Sequence, residues 1–505
     1  MQSFNRIYNI VISAVCMGLA QHPLGLGWLA WFCLVPLFVA IKDQQKFSKI
    51  FLDIFVWGFL YHLVSLFWLS SNIGVEKYVA FITMLLANLV CTLNIVLVFG
   101  LWHIVNRLND KKIWLLLPFI WTMVDYLMSL TDVSFPWSSI ANTQAQDSLL
   151  PFIQFIEFTG MFGLTFWLVI LNVYLFHFYE NKNFHNMIDS FTIFVLPIII
   201  SFILISPKSG SKEKIDFTIL QPNISIDDKN NKKYDDFDMV SLLLNQSTSN
   251  ISSNQLLIWP ETAFNDYYNA SRIRSSISSN IKEALSNDSV DLISGVFEVG
   301  KDEYFNSIYY LNSKNNYDLS LAEKYRKIKM VPGAESVPFS EILPFLKDFG
   351  LIGNFAKGKE YTIFKHKGII PFSAMICIES TYSDLSRKMV LSGAEFLIYI
   401  ANDGWYLNPP QAQQHAKQTI LRAVETRRPI LRCGNTGISW VVDDTGEVLK
   451  SLDRNTKGVL TSEGMELYSN DRKTIYVIFG DWLAYISIIV WMFWVIKGVL
   501  VLKRR

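Results

Sequence analysis

The sequence predicts a multi-domain membrane protein in which a transmembrane α-helical bundle of about eight helices carries one large water-soluble α/β domain. Three observations predict it. Of 505 residues, 51% are hydrophobic and 14% aromatic, with a mean hydropathy of +0.26, which is too apolar for an ordinary soluble chain. Yet 18% are charged, too many for a wholly membranous one. The two populations are also segregated. Residues 1–207 hold few charges in nearly continuous apolar runs, 208–475 are rich in Asn, Asp, Lys and Ser, and 476–505 add a last apolar run with a basic tail.

A helix that crosses a bilayer needs roughly 17 to 25 apolar residues, because the hydrocarbon offers no partner to an open backbone group. Runs of that order are Tyr8–Ala20, Leu24–Ile41, Ile50–Ser71, Tyr78–Trp102, Ile113–Leu130, Leu149–Phe178, Phe191–Ile205 and Ile475–Leu502. Seven therefore precede the soluble domain and one follows it. The short connections carrying Arg6, then Lys42, Lys46 and Lys49, then Arg107, Lys111 and Lys112, then Lys182, and lastly Lys503, Arg504 and Arg505 are expected on the cytoplasmic side. Both termini would be cytoplasmic and the domain at 208–475 extracytoplasmic. No small-residue cleavage site follows Ala20, so the first run reads as a helix rather than a removed signal.

Within the soluble domain, short apolar runs bounded by turn residues read as buried strands: Phe217–Gln221, Leu256–Trp259, Asp291–Gly295, Ser307–Leu311, Ala374–Cys377, Phe396–Ile400 and Ile438–Val442. Residues Gln411–Thr426 read as a helix that stops before Pro429. Such alternation predicts sheets covered by helices.

Composition also excludes classes of function. A net charge of +1 with no basic face argues against a nucleic-acid partner. Cys16, Cys33, Cys91, Cys377 and Cys433 show neither CxxC nor metal-ligand spacing, so no metal site, cofactor or disulfide framework is expected. Cys433 reads as a buried structural cysteine.

Three segments place a reactive side chain beside a strand end: Trp259-Pro260-Glu261-Thr262-Ala263, Tyr325-Arg326-Lys327 leading to Pro332-Gly333-Ala334-Glu335, and Met375-Ile376-Cys377-Ile378-Glu379. Singly, each has an ordinary explanation as a loop acid, a surface lysine or a core cysteine. Together they form a set. A thiol nucleophile needs a base to take its proton and a cation to hold an oxyanion, and Glu261, Lys327 and Cys377 supply these without a metal. Glu335 reads as a supporting carboxylate for Lys327, and Glu379 as a polar anchor of the strand end. His415 and Arg422 fall on one helical face, suited to packing or an interior ion pair.

In order and spacing, about 66 and then about 50 residues apart, these three resemble the Glu-Lys-Cys triad of the nitrilase superfamily. Asn402-Asp403-Gly404-Trp405-Tyr406, the helix with His415, Arg422, Ala423 and Glu425, and Asn435-Thr436-Gly437 resemble one branch, the apolipoprotein N-acyltransferases. Phe135-Pro136-Trp137, Glu157-Phe158-Thr159-Gly160 with Gly163, and Gly480-Asp481-Trp482 extend the likeness into the membrane half. The pattern departs at Ile378, where the family commonly has Tyr, and at Gly333-Ala334 before Glu335.

The resemblance implies a nitrilase-like αββα sandwich in the periplasm of a bacterial inner membrane. It also implies a phospholipid acyl donor, a diacylglyceryl lipoprotein acceptor, a Cys377 thioester between them, and a monomer. Two other uses of the same residues stay open: a membrane-anchored amidase with water as acceptor, or transfer to another lipid amine. A silent scaffold or transport protein would be expected to line a path with intramembrane charge, and only Asp53, Asp125 and Glu157 stand out.

Overall fold

The computed structural model describes residues 2–109, 112–205, 211–231, 233–249, 251–267, 269–340, 342, 355–407 and 410–504. Lys111, Arg505 and the 207/208 boundary, used above, lie outside the described residues. The chain divides into two compact units.

The first unit takes Met1–Ser206, Tyr406–Pro410 and Phe479–Arg505. Among the described residues, five helices are long and apolar enough to cross a membrane: Phe47–Ser71, Lys77–Leu108, Met161–Asn181, Phe184–Leu204 and Trp482–Lys503. Asn5–Ala20, Gly27–Ile41 and Trp114–Ser129 are shorter apolar helices. Indole rings fill the interior: Trp57, Trp102 and Trp121 are fully buried, and Trp102 lies 4.6 Å from Trp114 between ring centroids. Two expected crossings are interrupted. Leu149–Phe178 is not one helix, because Gly160 adopts φ 65° between Ile156–Thr159 and Met161–Asn181. Gly480, at φ 63°, likewise separates Ile475–Phe479 from Trp482–Arg504. In both places a left-handed residue, which glycine adopts at little steric cost, turns an apolar run that composition alone reads as continuous.

The second unit takes Pro207–Trp405 and Gln411–Ile478. Its strands in chain order are β1 (Ser211–Lys214), β2 (Phe217–Gln221), β3 (Leu256–Ile258), β4 (Phe264–Tyr267), β5 (Asp291–Val299), β6 (Tyr304–Leu311), β7 (Glu323–Arg326), β8 (Phe364–His366), β9 (Ile370–Ile376), β10 (Phe396–Ala401), β11 (Ile430–Gly434), β12 (Ser439–Val442), β13 (Val448–Leu452), β14 (Gly458–Thr461) and β15 (Tyr468–Asn470). One large sheet runs β14-β2-β3-β5-β6-β7 with β4 beside β5, the other large sheet runs β13-β12-β11-β10-β9-β8, and β1 pairs with β15 in a separate two-stranded sheet. β2-β3-β5 and β9-β10-β11 are parallel at the centres. Buried on both faces, they read as unbroken apolar runs.

The two large sheets face each other. Cys433 Sγ of β11 donates to the Leu220 carbonyl of β2 at 3.2 Å, and Ile400 of β10 reaches over Gly295 of β5. Helices Asp236–Thr248 and Ser271–Leu285 cover the outer face of the first sheet, where Val240, Leu243, Ile277 and Ile281 bury Leu257, Trp259 and Leu292. Helices Ser383–Leu391 and Gln411–Thr426 belong to the second sheet's side, Trp440 of β12 donating to Thr419 Oγ1 at 3.0 Å. The result is an αββα sandwich. Its parallel strands end at one edge of the sandwich, and the reactive residues follow those ends.

Candidate active site

Glu261 follows β3 in a tight turn that β5 holds. Ala263 N–H donates to the Gly295 carbonyl at 2.8 Å, and Gly295 N–H to the Pro260 carbonyl at 3.2 Å. Only a glycine fits there, since a Cβ on residue 295 would lie 2.6 Å from Glu261 Cα. Glu261 is 5% exposed, and neighbours fix both oxygens of its carboxylate. Asn306 Nδ2 donates to Oε1 at 2.8 Å, and Asn402 N–H donates to Oε2 at 2.8 Å.

Lys327 follows β7, its N–H bonded to the Asn306 carbonyl at 2.9 Å and its own carbonyl accepting from Gly358 N–H at 2.7 Å. Its side chain is buried, and burying an ammonium is tolerable only beside anions. Two are present. Nζ donates to Glu335 Oε1 at 2.7 Å and lies 3.7 Å from Glu261 Oε1. Val331 N–H donates to the second Glu335 oxygen at 2.9 Å.

Cys377 follows β9 with φ 53°, a left-handed conformation that costs a non-glycine residue about 1–2 kcal/mol. The strand expected to include Cys377 ends one residue earlier, at Ile376. Glu379 anchors this bend. Fully buried, it accepts from Tyr325 Oη at 2.8 Å, from Ile328 and Lys329 N–H at 2.7 and 2.9 Å, and through its other oxygen from Ile376 N–H at 2.8 Å. Both of its oxygens are thus engaged in tying the β9 end to the segment after β7.

The electrostatics describe a protonated thiol near a carboxylate that burial makes more basic. Burial pushes the Cys377 thiol well up, the Glu261 charge adds to this, and Lys327 opposes it. Burial also raises the Glu261 carboxyl above its ordinary value, with Lys327 pulling the other way. For Lys327, burial alone would favour the neutral amine, but Glu335 and Glu261 more than reverse it and hold the ammonium charged. Such a thiol needs a neighbouring proton acceptor before it can attack. No group of three or more His, Cys, Asp or Glu side chains able to hold a metal occurs among the described residues.

Sequence reasoning passed over Asn306, which donates to Glu261 and, at 3.3 Å, to Glu335. Its one signal was an Asn-Ser pair inside an otherwise aromatic and aliphatic strand. Asn402 and Asp403 were singled out only through a resemblance. Cys433 is buried in β11, and none of the five cysteines is in a disulfide.

Residues 13–174 match the family described as the apolipoprotein N-acyltransferase N-terminal domain, and residues 219–464 match the carbon-nitrogen hydrolase family. An apolipoprotein N-acyltransferase from Thermotoga maritima is 26% identical over an alignment that covers 96% of this chain and 92% of the relative. Another, from Haemophilus ducreyi, is 27% identical and covers 94% of each chain. A solved amidase from Nesterenkonia sp. aligns with 52% of this chain and 93% of its own, at 15% identity and a TM-score of 0.37.

Proposed function

We infer, for a chain that belongs to the apolipoprotein N-acyltransferase family, that it is a bacterial membrane acyltransferase of lipoprotein maturation with Cys377 as nucleophile, Glu261 as general base and Lys327 as oxyanion-binding cation. The observation that carries this assignment is the Lys327 ammonium buried between two carboxylates and in the field of a thiol that burial keeps protonated. A cation with no outlet to solvent and a thiol that rests protonated suit a reaction in which negative charge appears only transiently.

The chemistry follows from those parts. Glu261 takes the thiol proton as sulfur bonds to the ester carbonyl carbon of a phospholipid, and Lys327 receives the charge on the oxygen. The carbon–oxygen bond then breaks, Glu261 returns the proton to the departing lysophospholipid, and a thioester remains. The free α-amine of an N-terminal diacylglyceryl-cysteine attacks it next. A carbon–nitrogen bond forms, the carbon–sulfur bond breaks, and the amine's proton passes through Glu261 to restore the thiol. Glu335 orients Lys327. The enzyme acts as a monomer without a cofactor, its second unit on the periplasmic side, where acceptor lipoproteins carry their free amines.

The test incubates detergent-solubilised protein with labelled phospholipid alone, and then with a diacylated lipopeptide. A hydroxylamine-labile acyl group should appear on the protein and move to the peptide. Cys377→Ala should abolish both signals and Cys433→Ala neither; acylation that persists in Cys377→Ala would move the nucleophile elsewhere.

A further inference from the structure

Besides the three residues of the proposed mechanism, the second unit contains a buried chain of charged and polar groups that ends on the nucleophile's own peptide. His415 Nε2 lies 3.0 Å from the Cys377 carbonyl oxygen, and Nδ1 lies 2.7 Å from Asp403 Oδ1. The Cys377 carbonyl can only accept, so Nε2 donates to it, while Nδ1 lies between Asp403 Oδ1 and, at 3.1 Å, Arg432 Nη2. Asp403 accepts in turn from Gln411 Nε2 at 2.9 Å and, through Oδ2, from Arg432 Nη2 at 2.9 Å. His415 and Arg432 are fully buried and Asp403 is 4% exposed. Burial raises the Asp403 carboxyl, but His415 and Arg432 outweigh it and hold the group well below the usual range, so it stays charged. Even the packing is fitted, for a Cβ on Gly437 would overlap Asp403 Oδ2.

We propose that Asp403 and His415 are positioning residues that hold Cys377 in its left-handed conformation and so keep its thiol aligned with Glu261. Three observations converge on this. The Cys377 peptide adopts a conformation that nothing in its own side chain favours, so partners outside the residue must maintain it. Its carbonyl has two such partners, His415 Nε2 and Ser380 Oγ, each at 3.0 Å, while Glu379 holds the Ile376 N–H on the other side. Finally, Asp403 is the chain neighbour of Asn402, whose N–H fixes the Glu261 carboxylate. One turn therefore sets the nucleophile through a side chain and the base through a backbone amide. A shift in that turn changes the distance between them.

This inference rests on Cys377 being the nucleophile, and the test separates the two. In the full-length solubilised protein, Cys377 is followed both by single-turnover acylation from labelled phospholipid and by alkylation with iodoacetamide, Cys377→Ala giving the blank. His415→Leu should slow the maximal rate of both about 100-fold with the phospholipid KM changed less than about threefold, the size expected for a displaced reactive group. His415→Gln keeps one amide N–H able to reach the Cys377 carbonyl, and should recover about tenfold of that loss. Wild-type rates in His415→Leu, equal losses in the Leu and Gln variants, or a rise in KM at unchanged maximal rate would each overturn the proposal. If His415→Leu cannot be recovered folded, Asp403→Asn, which keeps size but removes the charge that holds His415, should slow both reactions about tenfold at unchanged KM; unchanged rates there are equally fatal. Wild-type protein that alkylates at Cys377 but never acquires an acyl group would instead overturn the thioester, leaving alkylation to decide the positioning role.

Discussion

Lys327 Nζ stands 2.7 Å from Glu335 Oε1 but 3.7 Å from Glu261 Oε1, so the closer ion pair of the site is made with Glu335 and not with Glu261, the base we propose. Glu335 thereby spares Glu261 from full neutralisation. Lys327→Met keeps length and removes the cation, and should slow both half-reactions by on the order of 10²- to 10³-fold, since each passes through an oxyanion on the same carbonyl carbon. Glu335→Gln should leave Lys327 to close on Glu261, weakening the base, and slow acylation by about tenfold or more. Transient kinetics of each half-reaction checks this. A Lys327→Met enzyme slowed only in lipid binding would make the lysine a head-group contact.

The raised Glu261 carboxyl predicts the sign of the pH dependence. With the ionised Glu261 as the proposed base, acylation at subsaturating phospholipid should rise with pH through a value above the ordinary glutamate range and then level off. Lys327 lowers that value and Glu335 raises it. Residual activity in Lys327→Met should thus show the rise at higher pH than wild type, and Glu335→Gln at lower pH. Profiles that shift together, or in the opposite directions, would remove Glu261 from the role.

Glu379, two residues from Cys377, is expected to affect stability rather than chemistry. Glu379→Gln turns one of two fully engaged acceptor oxygens into a donor facing N–H or O–H groups, at about 1–3 kcal/mol for each buried group left unpaired. Thermal unfolding in detergent should fall while phospholipid KM holds. A variant as stable as wild type would show that the four bonds are dispensable.

How much of this was legible beforehand depended on what each residue does to its local pattern. Phe217–Gln221 and Phe396–Ala401 are buried on both faces and announced themselves as apolar runs. β7 (Glu323–Arg326) and β13 (Val448–Leu452) did not, because edge strands exposed on one side carry charge where the pattern asks for apolar residues. The charged and nucleophilic members of the site were visible as reactive groups after strands. Asn306 was not, because its value lies in two hydrogen bonds across the sheet, and sequence spacing does not encode that partnership. The breaks at Gly160 and Gly480 were hidden too, because a positive φ within an apolar run leaves hydropathy unchanged.

The excess of Lys and Arg in alternate short connections predicts that a reporter fused after Ser211 behaves as periplasmic and one fused after Arg505 as cytoplasmic. The reverse pair of outcomes would put Cys377 on the wrong side for an exported lipoprotein.

Gly295 packs directly against the turn that carries Glu261. A Cβ at residue 295 would sit 2.6 Å from both Glu261 Cα and the Pro260 carbonyl oxygen, and 2.8 Å from Ile400 Cδ1. The methyl of Ile400 can rotate away, but the first two atoms are backbone and belong to the turn that carries the base. Gly295→Ala must therefore separate β5 from that turn, straining the bonds from Ala263 N–H to the residue 295 carbonyl and from residue 295 N–H to the Pro260 carbonyl. Overpacking of this kind costs about 1–3 kcal/mol, which a lowered thermal midpoint would report. The larger effect should be kinetic. Moving the Glu261 carboxylate by a fraction of an ångström from the Cys377 thiol should slow acylation about 100-fold per folded molecule, with phospholipid KM little changed. Iodoacetamide alkylation of Cys377 should slow alongside it, since the same base takes the proton in both reactions. A Gly295→Ala enzyme that loses stability yet acylates at the wild-type rate would mean that the Glu261 turn absorbs the displacement, and that the distance from base to thiol is set elsewhere.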